Sequence, residues 1–183
     1  MISKQKKIVL GITGSVAAYK ACDLTRRLKE QGFDVTVVMT ECARRFITPL
    51  TLASLSGNNV LTEMFLEESS VAWMPHIALA EEAELLLISP ATANIIGKLA
   101  SGIADDLLSC VVLASKAKKI IVPAMNTGMF ENSIVRQNCE KLRQHGFYFV
   151  EPEEGLLACG TFGRGHIASE ESILHKVKEV LGA

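Results

Sequence analysis

The sequence lacks a surplus of charge of either sign, with 19 lysines and arginines against 20 aspartates and glutamates. Gripping a nucleic-acid backbone takes a basic field, and a disordered acidic tail takes a block of one sign. Neither is present, so nucleic acid is not an expected partner. Long apolar runs are missing too. No segment reaches the roughly 18 uninterrupted apolar residues of a membrane span, so no membrane is expected either. Lys4, Lys6 and Lys7 precede the stretch from Ile8 to Ala18 in the manner of a signal peptide, but Gly11, Thr13, Gly14 and Ser15 interrupt it. Those residues read instead as a first strand entering a glycine turn. The five cysteines, Cys22, Cys42, Cys110, Cys139 and Cys159, show no CxxC and no zinc-ligand spacing. No metal site is expected, and a reducing cytoplasm is the natural compartment. Internal repeats, low-complexity tracts and interdomain linkers are also absent.

What is present is a chain of 183 residues, 49% hydrophobic and 21% charged. That suits a single domain over residues 1–183 with a continuous core. Strand and helix signals alternate, which predicts an α/β fold with a parallel sheet covered on both faces. Lys7 to Ile12 and Asp34 to Met39 read as strands. Leu85 to Ser89 and Lys119 to Val122 are too short and too evenly apolar for amphipathic helices, so they read as buried central strands, each followed by a proline. Tyr148 to Val150 is the last expected strand. Helices are expected over Val16 to Gln31, from Thr48-Pro49, over Ile95 to Ala100, Ala104 to Ser115 and Ser133 to Gln144, and from an N-cap at Ser169. Residues 151–168, with Pro152, Gly155, Gly160, Gly163 and Gly165, have the composition of a flexible loop.

Ligands of open parallel sheets bind beyond the carboxyl ends of the strands. Four places there carry usable residues. Gly11 to Val16 joins strand to helix, and Gly14, Ser15 and Val16 can present amides and a hydroxyl to an anion at a helix N-terminus. A tight turn explains the same residues, because the spacing is neither a P-loop nor GxGxxG. Thr40 follows the second strand. Ser89-Pro90-Ala91-Thr92-Ala93-Asn94 and Pro123-Ala124-Met125-Asn126-Thr127-Gly128-Met129-Phe130 set small and polar groups beyond the two central strands.

These last two segments resemble the PASANT and PxMNxxMW motifs of the homo-oligomeric flavin-containing cysteine decarboxylases. His76 in Pro75-His76-Ile77-Ala78-Leu79-Ala80 matches that family's HIxLA histidine, and Leu157-Ala158-Cys159-Gly160 with Gly163 and Gly165 resembles the substrate clamp of members acting in coenzyme A biosynthesis. The resemblance departs at Ile95 and Phe130, where threonine and tryptophan are usual, and at Thr161 and His166, where aspartate and arginine are usual. Arg164 lies two residues before His166 and can substitute for that arginine.

The resemblance implies a three-layer Rossmann-like, flavodoxin-like fold with FMN as cofactor. FMN would be held by Gly14, Ser15, Val16, Thr40, Thr92, Ala93, Asn94 and Ala124. Met125, Asn126, Ala158, Cys159, Gly160 and Arg164 would hold substrate, with residues 151–168 as the flexible clamp. A carboxylate on a cysteine carbon has no electron sink, and a flavin creates one by accepting a hydride from the carbon next to sulfur, which gives a thioaldehyde. His76 would serve as base at the thiol, although a helix-capping or core histidine is the alternative. Asn126 would hold the carboxylate without adding negative charge, although turn asparagines are common. Cys159 would be the proton donor that allows re-reduction of the enethiolate.

The implied reaction converts 4'-phospho-N-pantothenoyl-L-cysteine to 4'-phosphopantetheine and carbon dioxide. Assembly as a trimer, or as a dodecamer built from trimers, and a separate phosphopantothenate-cysteine ligase in the same pathway follow from the resemblance. Peptidyl-cysteine decarboxylases of lantibiotic synthesis, flavin prenyltransferases and regulatory subunits that bind phosphatases are the alternatives. Cys159, the PAMN segment and the absence of acidic extensions argue against them in turn.

Overall fold

The apolar runs become strands because both faces of each must be covered. The computed structural model describes residues 5–65, 74–156, 160 and 162–182. Along the chain lie β1 (Lys7–Ile12), a 3-10 turn (Val16–Tyr19) leading into α1 (Lys20–Glu30), β2 (Asp34–Met39) and α2 (Pro49–Ser56). Next come α3 (Pro75–Glu82), β3 (Leu85–Ala91), α4 (Ala93–Ser101), α5 (Leu107–Ala114), β4 (Lys118–Pro123), α6 (Thr127–Glu131) and α7 (Ser133–Gln144). The chain then runs through β5 (Phe147–Phe149), β6 (Glu153–Leu156), β7 (Phe162–His166) and α8 (Glu170–Leu181). The first five strands form one parallel sheet in the order β2-β1-β3-β4-β5. That order is flavodoxin-like, and it reverses direction between β1 and β3.

Strand side chains alternate between two cores. Ile8, Leu10, Ile12, Leu85, Leu87, Ile120 and Val122 pack on the face covered by α1 and α8. Val9, Leu86, Ile88 and Ile121 pack on the face covered by α4, α5 and α7. Two buried faces explain why these strands read as continuous rather than alternating apolar runs.

Three expectations need correction. The helix expected from Val16 begins as a 3-10 turn, with the Ser15 hydroxyl accepting from the Ala17 N–H at 3.3 Å, and becomes α-helical at Lys20. β3 continues past Ser89 through a cis Ser89-Pro90 peptide to Ala91, with a register shift that lets the donor-less proline sit in the sheet. Residues 151–168 hold an antiparallel ribbon of β6 and β7 rather than an irregular loop. Their glycines allow close approach of backbone to backbone, which composition alone does not distinguish from looseness. Helices α3 and α6 were not anticipated, each being at most 8 residues long.

α5 is held at its start by a reciprocal cap. The Asp106 carboxylate accepts from the Ser109 N–H at 2.8 Å, and the Ser109 hydroxyl accepts from the Asp106 N–H at 3.1 Å. Burial pushes the Asp106 carboxyl up, but the Ser109 N–H, the Lys98 ammonium and the Ser109 hydroxyl together outweigh burial and hold it below the ordinary value of 3.8. Replacing Asp106 by alanine is expected to lower the unfolding free energy in urea at neutral pH by about 1–2 kcal/mol. A carboxyl with a depressed folded value stabilises above its unfolded value and loses that contribution as pH falls through the folded one. The gap between wild type and variant should therefore close below about pH 3.8; a gap that persists undiminished in acid would contradict the assignment.

Candidate active site

At the edge where β1 and β3 end, the loop after β1 is tied to the loop after β3. The buried Thr13 hydroxyl donates to the Pro90 carbonyl at 2.6 Å and accepts from the Thr92 N–H at 3.1 Å. Thr92 in turn caps α4, accepting from the Ile95 N–H at 3.4 Å. The Thr40 N–H donates to the Ile12 carbonyl at 3.0 Å, which brings the third loop to the same edge. Gly14 is required here by proximity, since a Cβ on it would lie 2.4 Å from the Cβ of Cys42.

These loops wall two neighbouring clefts. One, of about 590 Å³, is lined by Thr13, Gly14, Thr40, Cys42, Thr92 and Asn94, with Lys98, Asp106 and Met129. Its lysine is already engaged. Burial disfavours the Lys98 ammonium, but Asp105 at 2.7 Å and Asp106 at 2.9 Å outweigh that and raise its pKa. The other cleft, of about 500 Å³, brings Ser15, Val16 and Ala124 together with Met125, Asn126, Gly165 and His166. Both volumes lie in the range of small-molecule sites.

Asn126 stands before α6 as its N-cap, its amide oxygen accepting from the Gly128 N–H at 2.8 Å. The ribbon lies directly on this segment. The Met125 N–H donates to the Gly165 carbonyl at 3.1 Å. A Cβ on Gly165, whose φ is +141°, would lie 2.3 Å from the Met125 oxygen. Thr127, beneath Gly163, has a buried hydroxyl without a hydrogen-bond partner among the described residues.

The ribbon's register separates the two rival clamp residues. Glu154 pairs with Arg164 and Glu153 pairs with His166, so an extra residue, Gly165, bulges between them. Paired residues share a face and consecutive residues do not. Arg164 and His166 therefore point to opposite faces. His166 lines the Asn126 cavity, whereas Arg164 lies 5.6 Å over the Phe130 ring and 3.6 Å from Glu151, in a different cleft.

The remaining sequence-singled residues fall as follows. Ile95 is buried in the core against α5, so its departure from threonine adds packing. Ala93 opens α4. His76 lies in the first turn of α3, with its Nδ1 buried and unpartnered among the described residues. It lines neither of the two clefts. Ala158, Cys159 and Thr161 lie outside the described residues, and Gly160 is exposed. Thr13 was visible in the glycine loop but carried no assigned role. Lys20, which lines the Asn126 cavity, offered no signal in sequence beyond its place after the loop.

A family model described as Flavoprotein matches residues 2–182. The probable phosphopantothenoylcysteine decarboxylase of Streptococcus mutans is 43% identical over 178 residues, 96% of this chain and 99% of that one. The coenzyme A biosynthesis bifunctional protein CoaBC of Bacillus subtilis is 45% identical over 169 residues, 92% of this chain and 41% of the relative. The chain thus spans less than half the length of that bifunctional relative. Among solved structures, a cysteine-to-serine mutant of PPC decarboxylase complexed with pantothenoylaminoethenethiol superposes with a TM-score of 0.89 at 28% identity, covering 98% of this chain and all of that one. The FMN-dependent cysteine decarboxylase SpaF gives a TM-score of 0.85 at 31% identity, covering 98% of each chain.

The contact of ribbon and loop can be tested alone. Gly165→Ala is expected to cost about 1–3 kcal/mol, because the new Cβ meets a backbone oxygen and the positive φ disfavours any side chain. Limited proteolysis should cut the ribbon of the variant faster than that of wild type, with the central sheet still folded by circular dichroism. Unchanged cleavage would show that the ribbon is not held by this contact.

Proposed function

The chain belongs to the Flavoprotein family, and on that premise we propose that it decarboxylates 4'-phospho-N-pantothenoyl-L-cysteine to 4'-phosphopantetheine with FMN. The observation that carries this reading is the likeness over almost the whole chain to phosphopantothenoylcysteine decarboxylase. It is supported by a cavity in which the phosphate-loop residues Ser15 and Val16 meet Asn126.

The residues present suit a flavin mononucleotide. Gly14 keeps the loop after β1 flat against Cys42, and Ser15, Thr40, Thr92 and Asn94 offer uncharged donors beside it, at the point where the sheet order reverses. Ala93 and Ala124 flank these groups with small side chains, and Val16 adds an apolar wall. FMN supplies a reversible two-electron acceptor for the carbon next to the substrate sulfur.

The chain's own residues do the rest. The imidazole of His76 takes the thiol proton. Asn126 and the Met125 backbone position the carboxylate, with the Asn126 amide as donor, so no negative charge opposes the acid. Loss of carbon dioxide from the thioaldehyde breaks the bond between the carboxyl and α carbons and sends its electron pair into the C=S group as an enethiolate. The Cys159 thiol then supplies the proton needed for reduction to the saturated thiol. The ethenethiol bound by the cysteine-to-serine mutant of PPC decarboxylase supports a cysteine in that second half. Ala158 and Gly160 flank this cysteine in the clamp, and Arg164 braces the ribbon from its outer face.

The protein acts in the cytoplasm as a trimer, or as a dodecamer of such trimers, with a phosphopantothenate-cysteine ligase as the preceding enzyme. His76 lines neither cleft within one chain, which supports completion of the site by a neighbouring copy. No helix among the described residues is long and apolar enough to cross a membrane.

Mass spectrometry of the product, with a cysteine-ending peptide as parallel substrate, tests the reaction directly. Release of carbon dioxide from the peptide alone would replace it with peptidyl-cysteine decarboxylation. His76→Asn is expected to stay yellow while losing at least about 100-fold in carbon dioxide release; full activity would remove His76 from the mechanism. Cys159→Ser should still decarboxylate but stop at a product two mass units below phosphopantetheine, and normal product would sink its assignment. Light scattering that finds an active monomer would remove the trimer.

A further inference from the structure

The pairing of β1 with β3 ends at Gly11 and Ile88, and beyond it the two loops run on separately. One side chain joins them again. Thr13, 2% exposed, donates its hydroxyl to the Pro90 carbonyl at 2.6 Å and accepts from the Thr92 N–H at 3.1 Å. Among the described residues, no other hydrogen bond links residues 13–16 to residues 90–94.

Most N–H groups of these loops are already committed. In the first, the Ser15 N–H donates to the Thr13 carbonyl at 2.8 Å, the Ala17 N–H to the Ser15 hydroxyl at 3.3 Å and the Ala18 N–H to the Ser15 carbonyl at 2.9 Å. In the second, Thr13 takes the Thr92 N–H, while the Thr92 hydroxyl takes that of Ile95 at 3.4 Å and the Thr92 carbonyl that of Ile96 at 3.1 Å. The N–H groups left without a partner among the described residues are those of Gly14 and Val16 on one loop and of Ala93 and Asn94 on the other.

Gly14 and Asn94 line the same cleft as Thr13 and Thr92, and the one basic residue lining it, Lys98, is held by Asp105 and Asp106. An anionic group in this cleft is therefore met by neutral N–H groups, whose bonds weaken steeply with misalignment. A long cationic side chain can follow its anion. Two amide pairs on separate loops cannot, so their spacing has to be built into the backbone.

We infer that Thr13 is a positioning residue of the cofactor site: its hydroxyl sets the two amide pairs at the separation that receives the phosphate of FMN, and so makes the site prefer FMN to riboflavin. The inference rests on the proposed binding of FMN. Without the hydroxyl, the Pro90 carbonyl and the Thr92 N–H are buried and unpaired, and each loop shifts to find another partner. Serine supplies the same donor and acceptor, whereas valine keeps the shape and supplies neither.

The test is exchange of bound FMN for riboflavin, which is read without turnover. Flavin-loaded protein is equilibrated with graded riboflavin, and the FMN released is measured after ultrafiltration. Thr13→Val is expected to lower the preference for FMN over riboflavin about 10- to 100-fold, as two unpaired buried groups predict. Thr13→Ser should stay within about threefold of wild type. Thr13→Cys, whose thiol is a weak donor, should fall between the two.

A folded Thr13→Val with the exchange constant of wild type would overturn the inference, even with a lower urea midpoint, because the bridge would then serve the fold alone. If Thr13→Val does not fold, Thr13→Cys decides on the same terms. A loss that Thr13→Ser shares in full would also overturn it, since serine keeps both hydrogen bonds. A wild type that takes up neither flavin removes the proposed cofactor. One that takes up both equally well leaves a flavin site in place and overturns only the role of Thr13.

Discussion

The hydroxyl of Thr13 bridges the two loops on which the candidate site is built, donating to Pro90 and accepting from Thr92. It is buried, so without it a carbonyl and an N–H would lose their partner where water cannot replace it, at about 1–3 kcal/mol for each group. The bridge spans the point at which the sheet order reverses between β1 and β3. There the connections leave in opposite directions and open a crevice, and this short side chain ties its two walls together. The Thr92 cap of α4 and the placement of Ser15 at the start of the helical run follow from that constraint.

The second organising contact is the close seat of the ribbon on the Met125–Asn126 segment. A Cβ at Gly163 or Gly165 would collide with Thr127 or with the Met125 oxygen. Glycine therefore serves proximity here. The bulge at Gly165 has a chemical consequence as well, since it assigns Arg164 to the outer face with Phe130 and Glu151 and His166 to the cavity. The acidic residues lie elsewhere, and no carboxylate lines that cavity. The neighbouring cleft has its lysine neutralised by Asp105 and Asp106, so its donors to a ligand are hydroxyls and amides.

Much of the fold was legible from pattern alone. β1, β2 and α7 fall at the bounds read for them from the residue pattern, and the Ser169 cap begins α8 as expected. Such features depend on contacts within a few residues or on burial of both strand faces, and composition carries both. The parallel sheet followed from the alternation of strand and helix. The short helices α3 and α6 left no periodic trace, because a helix of 5 or 8 residues shows barely one repeat of its apolar face.

The site divides along the same line. Gly14, Ser15, Thr92 and Asn126 could be chosen from the sequence because each lies directly after a strand, and strand ends are local features. The role of Thr13, the ribbon in place of a loop, the opposite facing of Arg164 and His166, and the presence of Lys20 beside Asn126 could not. Each depends on a pairing register or on the meeting of segments that lie more than 70 residues apart, as Thr13 and Thr92 do. Linear order carries residue type and local propensity, whereas the direction in which a side chain points depends on which backbone passes beside it.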